Sequence, residues 1–180
     1  MKQEYIITIF SEDSIGLLSR ITIIFTRRKI NIDSLTVSAS ALPGIFKFTI
    51  VIKETLDRVH KVVGQLEKVV DVIKAYYNTN EEMISQEIAL YKVPTEEMFE
   101  SDKIENIVRN SGARILEITR DYVVIEKTGL THETQKLFDE LNFFGVTQFN
   151  RSGRVAITRS NIEKLSEFLR ERDSLLEQID

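Results

Sequence analysis

A polar turn, Glu12-Asp13-Ser14-Ile15-Gly16, passes a strand-like run, Tyr5-Ile6-Ile7-Thr8-Ile9-Phe10, to a segment of helical spacing. In that segment Leu17, Leu18, Ile21, Ile24, Phe25 and Arg28 recur on one face. A helix start leaves backbone N–H groups without intrahelical partners and places the positive end of the helix dipole behind them. Gly16 has no Cβ and lets a ligand approach the backbone closely. A small carboxylate or phosphate fits such a place. The same residues also read as an ordinary capped helix, with Asp13 or Ser14 as cap. Asn31, opening the next strand in Asn31-Ile32-Asp33-Ser34-Leu35-Thr36-Val37, favours the binding reading by adding a polar side chain.

Residues for covalent or acid–base chemistry are missing from the pattern. His60 and His132 are the only histidines, and both fall on expected helices as solvated side chains. No HExxH, Gly-x-Ser-x-Gly or P-loop spacing occurs. Glu81-Glu82 and Glu96-Glu97 lack histidine or cysteine neighbours and read as solvated surface. Ser34, Thr36, Ser38 and Ser40 share one strand face without a base beside them, as in a strand that pairs across an interface. The chain is therefore expected to act by binding.

Composition sets the class. A chain of 180 residues with 42% hydrophobic and 29% charged residues suits one large or two small soluble domains. A net charge of −4 argues against nucleic acid as partner, because phosphate backbones need a basic face. No apolar run approaches the roughly 18 residues of a membrane span. The amino terminus lacks a basic n-region, and cysteine is absent. These features suggest a cytoplasmic protein with no membrane association.

The elements that position the turn follow from periodicity. The first half reads βαββαβ: strand 5–10, the helix after Gly16, strand 31–40, a Leu42-Pro43-Gly44 turn, strand 46–52, helix 56–66 and strand 69–73. Residues 79–83 break the pattern as a linker. The second half repeats the order: strand 84–93, a helix ending at Gly112, a hairpin of 114–119 and 122–126, and helix 131–144, with Thr131 or Thr134 as cap. Short strands 146–149 and 155–158 flank Arg151-Ser152-Gly153-Arg154. That basic turn reads equally as a recognition loop and as a plain hairpin with solvated arginines. The fold class is α+β: two ferredoxin-like βαββαβ domains, 1–78 and 84–159, plus an amphipathic helix over 160–180. In that helix Ile162, Leu165, Phe168, Leu169, Leu176 and Ile179 form the apolar stripe.

Four blocks in order resemble the small regulatory subunit of acetolactate synthase. They are Gly16-x-Leu18-Ser19-Arg20, Asn31-Ile32-x-Ser34-Leu35-Thr36-Val37, Glu87-Ile88-x-Leu90-x-Lys92-Val93 and Arg151-Ser152-Gly153-Arg154-Val155-Ala156-Ile157-Thr158-Arg159. The first two carry the likeness to an ACT domain. The resemblance implies a non-catalytic subunit of branched-chain amino acid biosynthesis, which activates a catalytic large subunit and makes it sensitive to valine. Thiamine diphosphate, magnesium and FAD are then expected on that partner, and no cofactor on this chain. It further implies a homodimer through the ACT domain, with effector at the interface beside Asp13 and Ser14: the backbone N–H groups of Ile15, Gly16 and Leu17 at its carboxylate, Asn31 of the other protomer at its ammonium, and Leu18 and Ile32 at its side chain. Asp13 stands where the family often has asparagine, and a carboxylate there either pairs with the ammonium or repels the carboxylate. Arg151, Ser152, Gly153 and Arg154 are the candidate contact with the catalytic subunit. The alternative is a stand-alone ACT-type sensor that regulates another enzyme or a transcription factor. The helix over 160–180 extends past the resemblance; it packs on its own domain, on a dimer partner or on another protein.

Overall fold

The computed structural model describes residues 1–96, 103–162 and 164–176, the last six by backbone alone. Two compact units result. The first comprises residues 1–84 together with 156–180, and the second 85–155. The carboxy-terminal segment thus groups with the amino-terminal unit, a division different from the contiguous 1–78, 84–159 and 160–180.

In the first unit, β1 (Gln3–Glu12), α1 (Leu17–Arg27), β2 (Ser34–Ala39), β3 (Ile45–Glu54), α2 (Leu56–Leu66) and β4 (Val72–Asn78) follow one another. They build an antiparallel sheet of order β2-β3-β1-β4. Tyr5, Ile7 and Ile9 of β1 face Ile21 and Phe25 of α1 and Val59, Val62 and Leu66 of α2. β1 is central and covered on both faces, so its sequence runs apolar instead of alternating. On the sheet's other face, Ile6 and Val51 pack with Met83 and Ala156. Phe10 and Tyr76 pack there with Leu165.

The second unit repeats the βαββαβ order with β5 (Met83–Pro94), α3 (Lys103–Ser111), β6 (Arg114–Ile118), β7 (Tyr122–Gly129), α4 (Thr131–Asn142) and β8 (Gln148–Arg151). Its sheet order, β6-β7-β5-β8, is the counterpart of the first. Ala89, Tyr91, Val93, Val123 and Ile125 meet Ile104, Val108, Leu137 and Leu141 in its core. Burial pushes the Tyr91 phenol up to about 12, and its hydroxyl donates to the Thr134 carbonyl at 2.7 Å. β9 (Val155–Thr158) pairs with β5, and α5 (Lys164–Leu176) follows. Both units are ferredoxin-like, and the fold is α+β.

Several boundaries move. The strand expected at 69–73 is β4, because Asp71 adopts φ +77° and reverses the chain before the strand begins. The strand expected at 31–40 starts only at Ser34. The linker at 79–83 is one 3-10 turn, Asn80–Glu82, running into β5. Its Glu82 carboxylate accepts the Thr79 N–H at 2.8 Å, and that bond foremost holds the carboxyl below its ordinary pKa. The strand expected at 146–149 is β8, which takes in Arg151. Leu130, not Thr131 or Thr134, precedes α4 as its cap residue. α5 starts at Lys164, so Ile162 lies before it and is exposed. Glu97 and Ile179, and the side chain of Leu176, lie outside the described residues.

Candidate functional site

α1 starts at Leu17 behind Gly16, which holds φ +78° and ψ 1°. Gly16 itself is the cap residue, and neither Asp13 nor Ser14 caps the helix with its side chain. The left-handed turn bends the chain so sharply that the Leu17 N–H returns to the Ser14 carbonyl at 3.2 Å. Among the described residues the N–H groups of Ile15, Gly16, Leu18 and Ser19 have no hydrogen-bond partner. Of the expected trio Ile15, Gly16 and Leu17, the Leu17 N–H is engaged within the turn itself. The free donors sit at the positive end of α1.

Arg20 fixes this turn from inside the helix. Its guanidinium donates to the Ser14 hydroxyl at 3.1 Å and to the Asp71 carboxylate at 2.6 Å. Asp71 in turn accepts the Glu12 N–H at its carbonyl, 2.9 Å away. The hydrogen bond from Arg20, and then that from Ser14, holds the Asp71 carboxyl below its ordinary value of 3.8. A carboxyl whose pKa is lower folded than unfolded adds stability above its unfolded pKa. That stability is lost as pH falls through the lowered folded value. The wild type should therefore exceed Asp71→Asn in denaturant midpoint at neutral pH, and the two should converge below about pH 4. A gap that stays constant down to about pH 2 would remove Asp71 from the acid response.

A hollow of about 220 Å3 opens beside the turn. Glu12, Asp13, Ser14 and Gly16 form its polar rim, and Leu17, Leu18, Val37, Phe46 and Phe48 its apolar wall. Asp13 is exposed, and among the described residues its carboxylate has no partner. Of the free donors, those of Gly16 and Leu18 belong to residues lining the hollow, together with the Glu12 and Asp13 carboxylates and the apolar wall, while Ile15 and Ser19 lie beside it. Ile15 projects fully into solvent, and Leu18 and Val37 are also exposed. Asn31 lies before β2, donating to the Asp33 carboxylate at 3.0 Å. Ile32 packs against the first unit's core and is not among the residues lining the hollow. Val37, Phe46 and Phe48 on the apolar wall and Glu12 on the rim are residues that the sequence reading did not name for this site.

The loop Arg151-Ser152-Gly153-Arg154 carries no solvated charge pair. Arg154 is 9% exposed and Glu87 5%. The Glu87 carboxylate faces Arg151 at 3.4 Å and Arg154 at 3.5 Å, and accepts the Thr131 hydroxyl at 2.6 Å. Arg154 also donates to that hydroxyl at 3.1 Å, and Ser152 exchanges bonds with the Ile88 backbone. Both arginines brace the loop against β5 and the start of α4, which corrects the reading of a plain hairpin with solvated arginines. His60 bonds the Tyr77 hydroxyl at 3.0 Å, and His132 is exposed on α4.

A family model described as an AHAS small subunit-like ACT domain matches residues 7–74. Another, described as the small subunit of acetolactate synthase, matches residues 86–160. The acetolactate synthase small subunit of Bacillus subtilis (strain 168) is 32% identical over 162 residues, 89% of this chain and 94% of its own. The chain belongs to the acetolactate synthase small-subunit family. A probable acetolactate synthase small subunit of Archaeoglobus fulgidus is likewise 32% identical, over 88% of this chain and 98% of its own. The crystal structure of the acetolactate synthase small subunit from Thermotoga maritima superposes with a TM-score of 0.80 at 26% identity. It is covered over 99% of its length by 89% of this chain. Within this family member the turn and hollow fall inside the ACT match, the arginine brace falls inside the second match, and α5 lies past both.

Proposed function

We propose that this chain is the non-catalytic regulatory subunit of an acetolactate synthase, raising the activity of the catalytic subunit and imposing feedback by valine. Family membership supports a regulatory role in branched-chain amino acid synthesis and association with the large subunit. Thiamine diphosphate, magnesium and FAD belong to that partner. The observation behind the effector is the hollow beside Gly16. The free N–H groups of Ile15, Gly16, Leu18 and Ser19 meet the valine carboxylate, and Asp13 meets its ammonium. The isopropyl group rests on Val37 and Phe46.

The hollow is shallow, and its exposed Ile15, Leu18 and Val37 lie beside β2, an edge strand. Edge strands with free N–H and C=O groups pair readily with another copy. A second protomer covers these residues, and its Asn31 reaches the ammonium. Sedimentation at micromolar concentration should therefore give a dimer or larger; a monomer would remove the shared site. Contact with the catalytic subunit falls to the second unit, including the loop 151–154, where the braced arginines hold Ser152 at the surface.

The deciding experiment measures acetolactate formation by the catalytic subunit alone, with this chain, and with this chain plus valine. The chain should raise the rate and valine should lower it again. A rate indifferent to the chain overturns the regulatory assignment, and a raised rate indifferent to valine overturns the effector.

A further inference from the structure

α5 lies past both segments matched by the family models, yet it is seated on the first unit. Leu165 is 1% exposed and packs with Phe10 and Tyr76, and Leu169 joins the same cluster with Ile45 and Ile73. The Lys164 ammonium stands 4.6 Å from the Tyr76 ring centroid, and that of Lys74 stands 5.4 Å from the Phe168 ring. These contacts fall at one end of the sheet. Phe10 precedes Ser11 and Glu12, the last residues of β1 before the turn. Ile45 is the register partner of Glu12. Ile73 follows Val72, the partner of Ser11, and Val72 follows Asp71, which grips Arg20. α5 therefore packs against the ends of β1 and β3, which line the hollow, and of β4, whose neighbour Asp71 holds Arg20, on the face opposite α1.

We propose that α5 is a positioning element for the effector site: Leu165 and Leu169 hold the strand ends that carry Ser11–Gly16 and so raise the site's affinity for its amino acid. The proposal rests on reading the hollow as an amino-acid site. Binding to a turn already held in place loses less conformational freedom than binding to one that must be ordered. The effect runs through backbone placement, since neither leucine lines the hollow.

The second buried cluster on this face supplies the control. Met83 is as well covered as Leu165, but it packs with Ile6, Val51 and Ala156. Full-length wild type, Leu169→Ala, Leu169→Met, Leu165→Ala and Met83→Ala are compared in two measurements: hydrogen exchange at residues 11–19 without ligand, and calorimetric titration with valine. The alanine variants of α5 should exchange faster in that segment and bind valine about tenfold more weakly, a size usual for coupled sites. Leu169→Met should restore both, and Met83→Ala should change neither, although it too opens a buried cluster. Equal effects from Met83→Ala and Leu169→Ala, or no effect from either α5 alanine, overturn the proposal. Wild type that binds no valine would overturn the effector reading, while the exchange data would still decide whether α5 holds the turn.

Discussion

Gly16→Asp is expected to abolish feedback by valine while leaving activation of the catalytic subunit in place. The new carboxylate stands at the start of α1 among the free N–H groups, where it occupies their field and repels the ligand's own carboxylate. Space does not oppose it, because nothing lies within 4 Å of a Cβ built at Gly16. Backbone strain does contribute, since φ +78° costs an ordinary L-residue about 1–2 kcal/mol. Gly16→Asn separates the two causes: asparagine tolerates this region and is close to aspartate in shape but carries no charge. The inhibition curve of acetolactate synthase should be flat with Gly16→Asp and displaced, but still present, with Gly16→Asn. Feedback that persists unchanged with Gly16→Asp would move the effector site elsewhere. Asn31→Ala should act more mildly, through loss of a hydrogen bond to a charged group worth about 1.5–3 kcal/mol.

Glu87→Ala should destabilise the second unit by about 3–5 kcal/mol, the usual result of removing one member of a buried ion pair. The loss comes from the pairing itself: Arg151 and Arg154 both give up the Glu87 carboxylate, although Arg154 keeps its bond to Thr131 and Arg151 its bonds to the Thr131 carbonyl and the Thr134 hydroxyl and its place over the Phe149 ring. Denaturant unfolding followed at Tyr91 should show a lowered midpoint for this unit. A midpoint equal to wild type would mean that water solvates the arginines readily and that the brace contributes nothing. Loosening the loop should also weaken association with the catalytic subunit if its exposed Ser152 is part of that contact.

Much of the fold was legible because its strands and helices obey simple periods. α2 places Val59, Val62, Val63 and Leu66 on its buried face, and Gly112 and Gly145 hold positive φ just past helix ends. β4 was misplaced because Val69-Val70 looks like strand core; the reversal at Asp71 has no glycine to announce it. The turn itself was found from Gly16 and the change of period, but its cap was not. A left-handed glycine displaces Asp13 and Ser14 from the capping position, and Ser14 instead serves Arg20. Glu87 could not be recognised as the partner of Arg151 and Arg154, because the three meet only through strand pairing between residues distant in sequence.

The first unit's discontinuity has a consequence for how the protein is made. Phe10 and Ile6 emerge early in translation, whereas Ala156, Leu165 and Leu169, which cover them, emerge much later. At about 5–20 residues per second, the delay between residue 84 and residue 169 is on the order of ten seconds. During that interval this face of the β1 sheet has Met83 but lacks Ala156, Leu165 and Leu169, while the second unit, continuous in sequence, is complete once residue 155 is made. The second unit can therefore close before the first receives Ala156, Leu165 and Leu169, so a chain arrested after residue 155 should leave Phe10 and Tyr76 without their described cover.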